Sequence, residues 1–151
     1  MEHGAGAEIA ALDGGAVDVA GTIDHQISVS VFAVFVAGKA VDDLVPALPH
    51  DLTLCLFRIA QESVRNAVAH SRAREVAIRL IGGPDTLVLT VTDNGVGFDV
   101  DAAHPGLGLI SMSERAEQVG AELRIRSRRG SGTEVEVTVS LAALQTTSTA
   151  V

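Results

Sequence analysis

The chain has 151 residues, which favours a single domain, and its 47% hydrophobic content is enough to bury a core. The core must be mainly aliphatic, because the sequence contains four Phe and no Trp or Tyr. The net charge of −8 argues against general nucleic-acid binding, since proteins of that class normally present a basic face. The single cysteine, Cys55, excludes a disulfide framework within the chain, and the five scattered histidines show no metal-ligand spacing.

The first half of the chain predicts a lead-in, a strand and a helix. Residues 1–26 are rich in Gly and Ala and predict a loosely ordered lead-in. Residues 27–37 combine β-branched side chains with Phe, in an alternation that becomes wholly apolar, and predict a strand. Residues 52–70 predict a helix capped by Asp51 or Thr53. Its expected apolar stripe comprises Leu54, Phe57, Ala60 or Gln61, Val64, Ala67 and Val68.

The second half predicts four strands around one more helix. The strands are expected over residues 75–81, 86–92, 122–128 and 133–141, and the helix over residues 111–120 with Gly120 as its stop. Residues 142–151 are expected to form a flexible tail. This order predicts an α+β fold for a domain over residues 27–141. We expect a two-layer α/β sandwich, a mixed sheet with helices on one face.

Two glycine-rich segments predict a ligand site. Asp93 ends an apolar run and precedes Gly95 and Gly97, which predicts an acid at the floor of a pocket where a ligand approaches the backbone closely. An ordinary turn, with Asp93 capping Gly95, is the alternative. Gly106-Leu107-Gly108-Leu109 leads into a helical pattern, and free N–H groups at a helix start suit phosphate. Together the segments predict a nucleotide site, with the acid for the base and the glycine turn for the phosphates.

A row of polar residues marks one face of the first predicted helix. Glu62, Asn66 and His70 are spaced four residues apart and share that face, which Arg58 extends by one turn. Such a row on a half-buried helix indicates a site, and a solvated face is the alternative.

Three blocks in a fixed order carry a resemblance to a known family. They are Phe-Arg-Ile-Ala-Gln-Glu-Ser-Val-Arg-Asn-Ala at 57–67, Asp-Asn-Gly-Val-Gly-Phe at 93–98 and Gly-Leu-Gly-Leu-Ile-Ser-Met-Ser-Glu-Arg-Ala at 106–116, followed by a Gly-Ser-Gly-Thr turn at 130–133. Over residues 27–141 the chain resembles the catalytic ATP-binding domain of two-component sensor histidine kinases, especially the nitrate-sensor and redox-sensor subfamily. The wider superfamily includes gyrase B, Hsp90 and MutL and has the Bergerat-type ATPase fold.

The resemblance implies a role for each candidate residue. Asn66 would hold the Mg²⁺ that bridges the ATP phosphates, and Glu62 would orient or activate the attacking group. Asp93 would accept a hydrogen bond from the adenine amino group, and Thr133 would join the adenine pocket. The base would sit against Gly95 and Gly97. The ATP lid would hinge on Gly106 and Gly108 and contact ATP through Gly106, Leu107, Gly108 and Leu109.

Two departures from the family pattern shape these expectations. Ala69 stands where the family often has a lysine, so a phosphate-neutralising charge is missing unless His70 or Arg72 substitutes. Neither His25 nor His50 lies in the two-helix hairpin that carries the family's phosphoacceptor. The accepting histidine is therefore expected on a separate dimerisation domain or partner kinase, with a response regulator as an indirect partner.

Two other functions stay open from the sequence. They are an anti-sigma-factor-type serine kinase and a non-catalytic nucleotide-binding interaction module. The chain would be either a fragment of a longer sensor kinase or free-standing. We expect a cytoplasmic protein without nucleic-acid or membrane contact, because no signal peptide is visible and the apolar run over residues 31–37 is far too short to cross a bilayer.

Overall fold

A computed structural model describes residues 8–12, 16–23, 27–35, 48–100 and 106–142 of the chain. Its elements, in order, are strands β1 (Glu8–Leu12), β2 (Ala16–Ile23) and β3 (Ile27–Phe35), helix α1 (His50–Asn66), a π-helical turn (Ala67–Ser71), strands β4 (Glu75–Gly82) and β5 (Thr86–Asp93), helix α2 (Leu107–Gln118), and strands β6 (Glu122–Ser127) and β7 (Thr133–Ser140). Two stretches lie outside the described residues: residues 101–105, between the two glycine-rich segments, and the predicted tail from residue 143 onward.

The strands form one seven-stranded sheet in the order β1-β2-β3-β4-β5-β7-β6. Strands β3 and β4 run parallel, and the other neighbouring pairs run antiparallel, so the predicted mixed sheet is confirmed. Strands β3 to β7 each begin at the predicted residue. The hairpin of β1 and β2 was not predicted, because the sequence indicates a loosely ordered lead-in. In the structure β2 pairs with β3 along residues 17–23, a pairing that the composition of the lead-in does not reveal.

Helix α1 begins earlier than predicted and without the predicted caps. It starts at His50, directly after Pro49, whose backbone is extended (φ −53°, ψ 139°), and no described side chain caps it. The Thr53 hydroxyl instead donates back to the Pro49 carbonyl (3.3 Å), and Asp51 lies inside the first turn, where its charge complements the helix dipole. Helix α2 likewise begins at Leu107, four residues before the predicted start, with Gly108 inside its first turn.

The core lies between the two helices and one face of the sheet. Helix α1 buries Leu52, Cys55, Leu56 and Ile59, α2 buries Met112 and Ala116, and the sheet contributes alternate residues of β5 and β7, namely Leu87, Leu89, Val91, Val135, Val137 and Val139. This confirms the two-layer sandwich. The predicted apolar stripe of α1 is wrong in its first half, since Leu54 is 44% exposed and Phe57 is 60% exposed. Two apolar stripes overlap in this helix, and only the sheet below decides which one is buried.

The opposite face of the sheet carries the arginines of β6. Arg124 pairs with Glu122 (2.8 Å), and Arg126 pairs with Glu134 and Glu136. The hydrogen bond that Arg126 donates to Glu134, together with the negative charge of Glu136, raises the pKa of the exposed Arg126 guanidinium. The arginine side chains are exposed, so this face meets solvent, and ion pairs of this kind contribute little to the stability of the fold.

No helix of the described residues is long and apolar enough to cross a membrane.

The buried Cys55 thiol is expected to be unreactive in the folded protein. Burial raises its pKa, and the nearby Arg115 guanidinium only partly opposes this effect. Its Sγ lies 3.3 Å from the Arg115 carbonyl oxygen, to which it donates. Because only the thiolate attacks disulfide reagents, labelling by dithionitrobenzoate at mildly alkaline pH should be at least about tenfold slower in the native protein than in denaturant. Equal rates in the two states would contradict the buried placement.

Candidate nucleotide-binding cleft

A cleft of about 430 Å³ opens where α1, α2, the loop after β5 and the start of β7 meet. Its size is in the range of small-ligand sites in proteins. All predicted site residues except Asp93 and Gly95 line it. The lining residues are Glu62, Ser63, Arg65, Asn66, His70, Ser71, Val96, Gly97, Phe98, Gly106, Leu107, Gly108, Leu109, Met112, Thr133 and Val135.

Glu62 and Asn66 lie one helical turn apart on α1, and Gly108 packs directly against them. A Cβ at residue 108 would collide with Glu62 Oε1 and lie 3.6 Å from Asn66 Nδ2. A larger residue there would push the end of the Glu62 side chain aside, so glycine lets α2 begin this close to the polar row of α1 with Glu62 in its present position. This contact brings the first-turn backbone of α2 beside a carboxylate and an amide, as the sequence pattern predicts.

The Glu62 carboxylate is held by a neighbour on the same helix. Its Oε1 accepts a hydrogen bond from Arg65 Nη2 at 2.7 Å, and its side chain is 19% exposed against 71% for Arg65. The arginine reaches over from the solvent side, so the carboxylate is oriented at the cleft wall.

Ser71 connects the Asn66 end of α1 to the loop after β5. The chain leaves α1 through the π-helical turn, which ends at Arg72 in a left-handed conformation (φ 53°). The buried Ser71 hydroxyl donates to the Ala67 carbonyl (2.7 Å), and the Ser71 carbonyl accepts from Val96 N–H (2.7 Å). Sequence analysis missed this residue, because a serine that bonds only to backbone leaves no spacing signal.

The two glycines after Asp93 are needed for packing of the protein against itself. A Cβ at Gly95 would collide with Ser71, and a Cβ at Gly97 would collide with the Arg128 carbonyl. Gly97 also has a positive φ of 58°, which other residues rarely adopt. The sequence predicts that these glycines admit a ligand to the backbone. That prediction stays untested, because packing within the protein already accounts for glycine at both positions.

Asp93 lies at the end of β5 in a neighbouring cavity of about 360 Å³, not in the main cleft. Its Oδ1 accepts a hydrogen bond from Gly95 N–H (2.8 Å), which is the turn-capping geometry that the sequence left as an alternative. Thr133 pairs with Asp93 across the sheet and lines both cavities. The two ends of the predicted site therefore adjoin at Thr133.

Ser127 organises the far wall around Thr133, and sequence analysis missed it as well. Its hydroxyl accepts from Phe98 N–H (2.9 Å), donates to the Gly132 carbonyl (2.9 Å) and lies 3.0 Å from Thr133 Oγ1. Gly130 N–H also donates to the Val96 carbonyl (2.6 Å). The loop after β5 is thus held by hydrogen bonds to the end of β6 and to the β6–β7 turn.

The donor set of the cleft suits Mg²⁺ held together with phosphates. The described residues contain no cluster of three or more His, Cys, Asp or Glu side chains placed to hold a metal ion alone. Mg²⁺ is typically bound through one or two protein oxygens, with substrate phosphates and water completing its shell. The Asn66 amide, beside the Glu62 carboxylate, fits that requirement.

The family of the chain follows from its sequence match. Residues 52–143 match the family described as histidine kinase-, DNA gyrase B- and HSP90-like ATPase. The chain belongs to this family. Membership of this ATPase family implies ATP binding, and the matched residues include α1 from its third residue onward, all of α2 and the lining of the cleft.

The curated relatives of the chain are sensor proteins. Over 87 residues, 57% of this chain, it is 42% identical to the sensor protein VraS of Staphylococcus aureus strain COL, and equally to VraS of Staphylococcus haemolyticus and Staphylococcus epidermidis. The match spans 25% of the length of these relatives. This ATPase-family domain is therefore similar to a portion of sensor proteins about four times longer than the matched region.

Solved structures show the same fold. The histidine kinase domain of the Erythrobacter litoralis EL346 blue-light activated kinase aligns with a TM-score of 0.59 at 24% identity, covering 77% of this chain and 56% of that one. The Acinetobacter baumannii histidine kinase AdeS aligns at 0.51 and 20% identity, covering 58% of this chain and 46% of that one. The α+β architecture of histidine kinase ATPase domains is thereby confirmed for this ATPase-family domain.

Proposed function

We propose that the chain is the Mg²⁺-ATP-binding catalytic domain of a sensor histidine kinase, which donates the γ-phosphate of ATP to a histidine on a separate region or chain. The observation that carries this proposal is the contact of Gly108 with Glu62 and Asn66 in one cleft. It sets a helix start, a carboxylate and a carboxamide around a space that can hold a triphosphate.

The start of α2 supplies the phosphate contacts. The Gly106 carbonyl accepts from Leu109 and Ile110 N–H, and no described side chain caps the helix. The amides of Leu107 and Gly108 precede the first intrahelical bonds, and both residues line the cleft. Such amides at the positive end of a helix dipole bind phosphate oxygens without a lysine.

Glu62 and Asn66 divide the work at the reacting end. The Asn66 amide oxygen would hold Mg²⁺, which would supply positive charge to neutralise the phosphate oxygens. The Glu62 carboxylate, fixed by Arg65, orients the attacking imidazole and accepts its N–H proton. Phosphoryl transfer demands chiefly positioning and charge neutralisation, and this pair provides both.

Asp93 and Thr133 hold the base end. Asp93 uses Oδ1 for Gly95 N–H, which leaves its other oxygen to accept from the adenine amino group.

His70 lines the cleft, whereas Arg72 does not, so His70 is the better placed substitute for the lysine that Ala69 replaces. The expected partners are a histidine-bearing dimerisation domain or partner kinase and, indirectly, a response regulator, in the cytoplasm.

Labelled ATP distinguishes this function from its alternatives. The chain, γ-labelled ATP, Mg²⁺ and a dimerisation domain with a phosphoaccepting histidine are mixed, and label on the acceptor is measured. We expect acid-labile, alkali-stable label, as a phosphohistidine gives. Acid-stable label on serine would support the serine-kinase alternative instead. Absence of ATP binding at millimolar concentration would leave only a non-catalytic interaction module.

A further inference from the structure

A second depression, of about 340 Å³, lies between α1 and α2. We name it the arginine groove, and its walls carry Arg58, Gln61, Glu62, Arg65, Ser111 and Arg115. Three of these side chains are guanidinium groups, and one is a carboxylate, which already accepts from Arg65. The groove therefore carries net positive charge on a chain whose formal charge is −8.

Two of the three arginines hold only neutral partners. Arg58 donates to Gln61 Oε1 (3.0 Å), and Arg115 donates to Ser111 Oγ (3.3 Å). Within the described part of the chain neither forms an ion pair, whereas Arg124 and Arg126 on the opposite face of the sheet are paired with glutamates. An acidic partner is attracted to such a groove and repelled by the rest of an acidic surface, which fixes how it docks.

Exposed apolar side chains flank the charges. Phe57 is 60% exposed and lies one turn from Gln61, while Leu54 is 44% exposed and lies one turn from Arg58. Aromatic side chains and arginine are both enriched at protein–protein interfaces. A small anion would make no use of Phe57, so the combination indicates a protein segment.

The groove adjoins the cleft. Glu62, Arg65 and Met112 line both depressions. A segment bound in the groove would therefore lie beside the carboxylate to which we assign the attacking imidazole.

We propose that the arginine groove docks an acidic segment of the protein that carries the accepting histidine, with Phe57 packed against an apolar residue of that segment. This inference rests on the proposed phosphotransfer function. It assigns to Arg58 and Arg115 a role in partner binding that is separate from ATP binding, since neither lines the cleft.

A labelled helical peptide tests the groove directly. The peptide has glutamates along one face, leucines along the other and a single histidine, and a second peptide has glutamine in place of each glutamate. Fluorescence anisotropy should show that the wild-type chain binds the acidic peptide, more weakly at high salt, and prefers it to the neutral one. The double variant R58E/R115E should bind it at least about tenfold more weakly. The matched control R124E/R129E, which changes the same charge outside the groove, should bind like wild type.

Parallel measurements keep the two proposals separate. ATP titration of both double variants should give wild-type affinity. If wild type binds ATP but not the acidic peptide, or if R58E/R115E binds the peptide as wild type does, the groove is not a docking site and the phosphotransfer proposal stands. If wild type binds the peptide but not ATP, the groove stands and the proposed function fails. If wild type sediments as a dimer and R58E/R115E as a monomer, the occupant is a second copy, and the proposal of an acidic partner is overturned.

Discussion

The Asn66→Ala variant is expected to keep its fold and to lose about a hundredfold or more in the rate of phosphotransfer, together with the Mg²⁺ dependence of its ATP affinity. Asn66 is a half-buried residue at the cleft wall beside Gly108. Alanine removes its amide oxygen, the ligand we assign to Mg²⁺, and leaves the helix intact because alanine is the best helix former. The measurements are initial rates at saturating ATP and calorimetric ATP titrations with and without Mg²⁺.

A matched amide gives the control for this variant. Gln118 is exposed at the end of α2 and lies outside the cleft, so Gln118→Ala should behave as wild type in both assays. If Asn66→Ala binds ATP with the same gain from Mg²⁺ as wild type, the assignment of Asn66 is wrong. A lowered thermal midpoint in Asn66→Ala alone would instead point to a structural role.

The strands that were predicted correctly owe their boundaries to local chemistry. Gly83-Pro84-Asp85 separates β4 from β5, and residues 128–132, with glycines at 130 and 132, separate β6 from β7. Proline fixes its own φ and glycine adopts turn conformations that other residues rarely reach, so such turns can be identified from the sequence without a pairing partner. The hairpin of β1 and β2 could not be predicted, because its strands are rich in Ala, which is a weak strand former. In the structure β1 pairs with β2 and β2 pairs with β3, and this pairing is not evident from the residues of β1 and β2 alone.

The buried face of α1 shows a second limit of prediction from the sequence. Two sets of apolar residues repeat at helical spacing in this helix. The first set is Leu52-Cys55-Leu56-Ile59, and the second is Leu54-Phe57 with Val64 and Val68. The sheet buries the first set and leaves Leu54 and Phe57 exposed. Periodicity identifies the helix but not which of two apolar faces meets the sheet, and the exposed one here adjoins the arginine groove.

In the candidate site, too, some residues could be predicted from local sequence and others could not. The spacing of Glu62 and Asn66 and the glycine before Leu109 predicted which residues would line the cleft. Ser71 and Ser127 could not be predicted, because each joins two loops through backbone groups that are distant in sequence. The placement of Asp93 in an adjoining cavity is likewise a property of the β5–β7 register, which sets Asp93 opposite Thr133.

That placement makes Asp93→Asn the sharpest test of the base end, and we expect it to weaken ATP binding about tenfold to a hundredfold. Oδ1 of Asp93 accepts from Gly95 N–H at 2.8 Å. In the variant the amide oxygen must keep this bond, because the turned amide would set a donor against Gly95 N–H. The Asn NH₂ group then takes the place of the second carboxylate oxygen and faces the adenine amino group, donor against donor.

The same geometry predicts how nucleotide preference changes. Guanine presents a carbonyl oxygen where adenine has its amino group, so the new NH₂ donor of Asp93→Asn should reduce the preference for ATP over GTP. Calorimetric titrations with both nucleotides measure this, and Asp85→Asn, an exposed acid in the β4–β5 turn, is the matched control. The fold should survive, because the bond to Gly95 N–H is retained. An unchanged ATP affinity in Asp93→Asn would mean that Asp93 only caps its turn and that adenine binds elsewhere.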